Sequence, residues 1–235
     1  DFLPHMDELA GKASVYERFI ANGFRTDLGL ISLINGRWPI RPPGGGASPY
    51  VAFYGLPDSL PQRLRTWGYH NAFYAGYDLG FIGQNAWLNA LGFDVAKGTG
   101  ENFAPLTGEG DFRGIADGDL YEAAAREIRT LPKPYMAVVN TISSHMPYVN
   151  PVTREAGEEA AFRYVDSSFR AFIDRLEVDG FFDDNGVLVM TSDHRMISPL
   201  SVAERTRFGE SAFARVPMMV LGRNLPGVPR LPQGA

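Results

Sequence analysis

The chain has 235 residues, 45% hydrophobic and 21% charged, which suits one large globular domain and excludes disorder over most of its length. Its formal net charge of −5 argues against a general nucleic-acid binder but not against a phosphate-bearing substrate, because a bound cation adds charge that a residue count does not show. Cysteine is absent and no apolar run approaches the roughly 18 residues of a membrane span, so disulfides, thiolate chemistry and a spanning helix within this sequence are all excluded.

Residues 6–21 place Met6, Leu9, Val15, Phe19 and Ile20 at helical spacing and predict a helix. A polar break follows, and Thr26 or Asp27 is expected to cap the helix made by the apolar run 28–34. The one low-complexity stretch is the loop at 42–46. Residues 70–75 read as a strand, 120–131 as a helix and 135–141 as a second strand. The longest helix is expected at 155–176, where Phe162, Val165, Phe169, Phe172, Ile173 and Leu176 form one core-facing stripe. Strands at 186–191 and 216–221 complete the set.

Met136-Ala137-Val138-Val139 and Val187-Leu188-Val189-Met190 are almost continuously apolar, as in strands buried on both faces of a parallel sheet. The alternation therefore predicts an α/β fold with a mostly parallel central sheet and helices on both faces. No linker divides the chain, so residues 1–235 are read as a single domain.

Ligands of such sheets sit beyond the carboxyl ends of the strands. Ser143-Ser144-His145 follows one predicted strand and Ser192-Asp193-His194 another. Turns rich in capping residues have the same composition, so each cluster is equally an ordinary turn. Asp193 and His194 supply a carboxylate and an imidazole that can reach one divalent cation; a cap followed by a surface histidine is the plainer alternative. Thr26 at a helix start is well placed to meet a phosphate, but its hydroxyl attacks only when a base or metal activates it.

The segment Phe19-Ile20-Ala21-Asn22-Gly23-Phe24-Arg25-Thr26-Asp27-Leu28-Gly29-Leu30 resembles the nucleophile region of the lipoteichoic acid synthase-like phosphoglycerol transferases, in the alkaline phosphatase/sulfatase superfamily. Further resemblances follow in family order. They are Ser59-Leu60-Pro61 through Gly68-Tyr69 to Ala72-Phe73-Tyr74, then Asp78, Phe81 and Leu91-Gly92-Phe93-Asp94. Gly114-Ile115-Ala116-Asp117 through Leu120, Thr141 through Tyr148, Tyr164-Val165-Asp166 with Phe172-Ile173, and Thr191-Ser192-Asp193-His194 complete the series. Each motif is short; their order is the specific signal.

The resemblance implies an alkaline phosphatase-like fold, truncated here at both ends and marginally stable or paired with another chain. It implies Thr26 as nucleophile and metal ligand, Asp193 and His194 as metal ligands, His145 at the substrate phosphate or leaving group, and Asp78 in the head-group pocket. The implied cation is Mn2+, with Mg2+ or Zn2+ as alternatives. The implied partners are a phospholipid or glycerol-phosphate donor and a glycan or polymer acceptor, without nucleic acid. The parent protein would be anchored in a bacterial inner membrane with its catalytic domain extracytoplasmic, in the periplasm.

Three departures from the family pattern stand out. A metal-binding glutamate would lie upstream of Asp1. Arg195 replaces the glycine after the Asp-His pair, where it either contacts an anionic substrate or crowds the metal. The tryptophan and arginine that often follow the head-group aspartate are replaced near Ile82 and Gln84. A formylglycine sulfatase is disfavoured because Thr26 is neither cysteine nor serine, and a phosphoethanolamine transferase because their soluble domains normally carry disulfides. A phosphodiesterase that uses water, and a non-catalytic relative that binds a glycan or lipid head group, are the alternatives.

Overall fold

A computed structural model describes residues 2–39, 48–54, 57–101, 103–107 and 114–225 of the chain. The loop at 42–46 and the Pro/Gly-rich tail beyond 225 lie outside the described residues.

The strand expected at 70–75 is β2 (His70–Ala75), and it is the most buried strand of the molecule's parallel sheet. It lies between β3 (Val95–Lys97) and β4 (Tyr135–Asn140) and runs parallel to both. His70 pairs with Tyr135 and Ala75 with Asn140, so β2 and β4 end side by side. Side chains alternate across this sheet as its pleat requires. Ala72 and Tyr74 face a core with α5 (Asp117–Ile128) and α6 (Glu158–Val178), while Phe73 and Ala75 face Trp87, Leu88 and Leu91 of α4 (Gln84–Leu91). Helices on both faces are as the alternation predicts.

The first predicted helix is corrected. Residues 6–21 split into α1 (Pro4–Ala10) and a short β1 (Ser14–Val15), because the Gly11 N–H turns back to Glu8 O and closes the helix. Val15 then packs on the core as an edge-strand residue. β1 pairs with β6 (Met218–Leu221), which pairs with β5 (Leu188–Thr191), and both pairings are antiparallel. The parallel arrangement thus holds for β2, β3 and β4, and a three-stranded antiparallel sheet accompanies it.

Val187-Leu188-Val189-Met190 is not buried on both faces. Leu188 and Met190 pack on the α6 core, whereas Val187 and Val189 are 48% and 51% exposed on the opposite face. In β4, by contrast, Ala137 and Val139 join one core and Met136 and Val138 the other. Every residue of β4 is nonetheless half-exposed, since among the described residues it pairs on one side alone.

Of the expected stripe on α6, Phe169, Phe172, Ile173 and Leu176 pack under both sheets, Val165 is buried outside that cluster, and Phe162 turns to Tyr148. Asp166 on the same helix is almost fully buried and accepts hydrogen bonds from the His5 and Met6 amides, so a carboxylate docks the start of α1 onto α6. α2 (Thr26–Leu30) runs into a π-helical turn, Ile31–Asn35, that ends at Gly36 with φ 60. α3 (Leu60–Thr66) and α7 (Val202–Phe208) each begin with a serine capping box, Ser59 with Gln62 and Ser201 with Glu204.

Candidate active site

Thr26 opens α2, half-buried at its first helical position. The N-cap is Arg25, in extended conformation, and it makes no side-chain cap. The expected capping role of Thr26 or Asp27 is therefore not realised. Asp27 is 2% exposed and turns inward, where Arg25 pairs with its carboxylate and the Leu28 amide donates to it at 2.8 Å.

Gly29 carries the central packing fact of the site. A Cβ on Gly29 would lie 2.1 Å from Asp193 O and 2.9 Å from Asp193 Cα, so a side chain there would force the two segments apart. Residues three apart share a helix face. Thr26 and Gly29 therefore lie along the same face of α2, and that face meets the turn after β5.

In that turn, the His194 amide donates to Asp193 Oδ1 at 3.0 Å and Ser192 Oγ donates to His194 O at 2.6 Å. His194 Nδ1 lies 2.7 Å from Arg195 O. A carbonyl only accepts, so Nδ1 carries the proton and, in the neutral ring, Nε2 holds the lone pair. Nε2 stands 3.7 Å from Asp193 Oδ2. One oxygen and one nitrogen at this separation fit two neighbouring positions around a single divalent cation. Among the described residues no cluster of three or more His, Asp or Glu side chains surrounds such an ion. Asp193 Oδ2 and His194 Nε2 are thus two neighbouring donor atoms in one turn.

In the loop after β2, burial holds the Tyr77 hydroxyl above its usual titration range against the hydrogen bond from Gln84, and the negative charge of Asp193 adds to the rise. Tyr50, stacked on Trp87 at 4.5 Å, is pushed up in the same way by burial, with Tyr77, Asp27 and Asp193 adding to it. Tyr77 follows a strand directly and was findable by that position; Tyr50 comes from a distant 3-10 turn, Pro49–Phe53, with no local signal.

Asp78 is exposed, and its Oδ1 accepts from the Gly80 amide at 2.7 Å. His145 is exposed in the loop after β4, with Nδ1 2.7 Å from Met146 O. By the argument used for His194, its Nε2 is the nitrogen that holds a lone pair in the neutral ring. Arg195 follows His194 in the turn after β5. Its guanidinium is largely buried and bonds Met196 O, Ser198 O and, at 3.0 Å, Glu204 Oε1. It lines a cleft of about 280 Å³ with Tyr16, Glu204, Phe208 and Arg215.

Solved structures that share this mixed α/β architecture define the fold as alkaline phosphatase-like. Within it the chain belongs to the sulfatase family, whose model matches residues 2–224. A curated relative, lipoteichoic acid synthase-like YvgJ of Bacillus subtilis, is 22% identical over 191 residues, covering 72% of this chain and 30% of YvgJ. The crystal structure of the lipoteichoic acid synthase LtaP from Listeria monocytogenes superposes with a TM-score of 0.78 at 20% identity, over 97% of this chain and 61% of LtaP. The Streptococcus pyogenes phosphoglycerol transferase GacH, solved with sn-glycerol-1-phosphate, superposes with a TM-score of 0.64 at 13% identity, over 95% of this chain and 64% of GacH. The chain therefore spans under a third of the length of its curated relative and about three fifths of these solved ones.

Proposed function

We propose that this chain is part of the catalytic domain of a metal-dependent phosphoglycerol transferase, with Thr26 as nucleophile. The observation that carries the reading is the contact of Gly29 with the Asp193 backbone, which lays the Thr26 face of α2 against the Asp193–His194 pair. The LtaP and GacH likenesses support the same class of chemistry.

Asp193 Oδ2, His194 Nε2 and the Thr26 hydroxyl would hold the cation, with Mn2+ the preferred ion and Mg2+ or Zn2+ alternatives. When bound, such an ion lowers the pKa of a coordinated hydroxyl and draws charge from a phosphoryl oxygen. Thr26 Oγ1 attacks the phosphorus of a lipid-linked glycerol phosphate and loses its proton to solvent water as the new P–O bond forms. The bond to the lipid alcohol breaks, and His145 protonates that leaving oxygen through Nε2. The product is a phosphoglycerol ester of Thr26. An acceptor hydroxyl of a glycan or polymer then gives its proton to the neutral His145 and attacks the phosphorus, the bond to Thr26 Oγ1 breaks, and that oxygen takes a proton back from solvent water, which restores both groups.

Asp78 would contact the head group from the rim. Arg195 is assigned a structural part, holding the turn after His194 to Glu204, because Nη1 donates to the Met196 and Ser198 carbonyls and Nη2 to Glu204 Oε1. Membership of the sulfatase family does not make the substrate a sulfate ester: Thr26 stands where a formylglycine precursor would be cysteine or serine. The exposure of His145 favours one second reading, a phosphodiesterase in which water takes the acceptor's place.

The parent protein would carry this domain on the outer face of a bacterial inner membrane. Among the described residues no helix is long and apolar enough to cross one.

The test is calorimetry with Mn2+ on the chain beside Thr26→Ala and Asp193→Ala, followed by mass spectrometry after incubation with a phosphoglycerol lipid. Micromolar or tighter binding lost in both variants, and a phosphoglycerol adduct on the peptide containing Thr26, are the expected results. An N-terminally extended chain should bind the metal more tightly if an upstream carboxylate completes the set. Absence of metal binding in both the chain and its extension would mark a non-catalytic relative.

A further inference from the structure

Asp117 is fully buried, carries a charge-bearing group at the start of α5, and has no part in the chemistry above. Acidic residues are common in the first turn of a helix, where they favour the helix dipole. Asp117 does not cap its own helix, however, and its side chain reaches into the loop after β4. Oδ1 accepts hydrogen bonds from the amides of Ile142 at 3.0 Å and Ser143 at 2.9 Å. Ser143 Oγ returns the interaction by accepting from the Asp117 amide at 3.0 Å. The His145 amide then donates to Ile142 O at 2.9 Å, so the peptide unit that Asp117 grips is the one on which the His145 turn is built.

The same segment is tied to the loop that carries Asp78. The Ile115 amide donates to Gly76 O at 2.8 Å, and the Gly76 amide donates to Asn140 O at 2.9 Å. The approach is close enough to demand two glycines: a Cβ on Gly114 would lie 2.6 Å from Gly76 O, and one on Gly76 would lie 2.9 Å from Ile142 Cγ2. Three segments thus meet backbone to backbone, and Asp117 is the buried side chain that joins two of them.

Resting on the reading that His145 and Asp78 face the substrate, we propose that Asp117 is a positioning residue that sets His145 relative to Asp78 through its grip on the Ile142–Ser143 peptide. Burial raises its carboxyl above the ordinary range, against the hydrogen bonds from Ser143 and Ile142. Its Oδ2 has no hydrogen-bond partner among the described residues. Replacement of that oxygen by an amide nitrogen therefore breaks no bond to the loop, which makes Asp117→Asn the conservative variant and Asp117→Ala the disruptive one.

The test is read on the full chain by NMR of the ring signals of its four histidines, His5, His70, His145 and His194, with the affinity for sn-glycerol-1-phosphate measured beside it. In Asp117→Ala the His145 signal is expected to move while those of His5, His70 and His194 stay. Affinity for sn-glycerol-1-phosphate should fall by about tenfold, the loss expected when one hydrogen bond to a charged group is misaligned. Asp117→Asn should restore both.

An unmoved His145 signal in folded Asp117→Ala would overturn the proposal. So would displacement of all four signals together, which would report a purely structural role. If Asp117→Ala does not fold, Ser143→Ala carries the test, with a displaced His145 signal supporting the proposal and an unmoved one overturning it. His145→Ala separates this from the functional reading: unchanged affinity for sn-glycerol-1-phosphate would remove His145 from the substrate site, whatever Asp117 does to its position.

Discussion

Gly29 and Thr26 divide one task between them: the absence of a side chain at the first brings the backbone of Asp193 close, and the hydroxyl of the second is carried along on the same helix face. Gly29→Ala should therefore act on stability and site together. Overpacking at a contact of 2.1 Å is expected to cost about 1–3 kcal/mol in urea denaturation. Mn2+ affinity should fall with it, and retention of full affinity would show that this packing does not set the metal geometry. His194→Ala, which removes a donor without touching α2, should lower Mn2+ affinity by at least about tenfold while leaving stability nearly unchanged. Calorimetry paired with denaturation separates the two variants.

At the scale of the element, two carboxylates dock helices. Asp166 holds the α1 start by accepting from two backbone amides, at 3.0 and 2.9 Å. Asp166→Ala leaves those donors without their acceptor and should cost about 1–3 kcal/mol. Hydrogen exchange should show the loss concentrated in α1. Glu204 in α7 is held down to about 2 by the Ser201 amide, then by hydrogen bonds from Arg195 and from Ser201. The folded value lies below the ordinary 4.5, so the stabilisation is present above 4.5 and is lost as pH falls from there through about 2. Thermal melts of Glu204→Gln against the parent chain should differ at neutral pH and converge across that window. A constant difference down to pH 2 would mean that charge is not what Glu204 contributes.

At the scale of the whole molecule, the core against α5 and α6 serves both sheets, while a second core packs the other face of the parallel sheet against α4. Phe172 on α6 stacks on Tyr121 of α5 at 4.6 Å, in a cluster that includes Tyr74 of β2 and Met219 of β6. Phe172→Ala should cost about 3–5 kcal/mol. Fluorescence and circular dichroism should report a single shifted transition, because neither sheet has a separate core against α6. Two resolved transitions would count against that shared packing.

Much of this organisation is legible along the chain. Periodicity locates the strand at 70–75 and the core stripe of α6, because both patterns are local and repeat over several residues. The order of short motifs, with Thr26 in the first and Asp193-His194 in the last, marks the family that residues 2–224 match. Other features are invisible there for a physical reason: they are made by contacts between segments far apart in sequence. The antiparallel pairing of β5 with β6 and the strand conformation of Ser14–Val15 depend on partners more than 25 residues away, which the local pattern of 6–21 does not encode. Asp117 resembles any acidic residue in a first helical turn until Ile142 and Ser143 are seen to donate to it. Arg195 resembles an anion contact until Glu204 and Ser198 occupy its donors. Residue chemistry and its order belong to the sequence, because they are covalent. Which of those groups face one another, and which are already satisfied, is decided by packing, because a hydrogen bond or a close backbone contact acts over a few ångströms of space irrespective of chain distance.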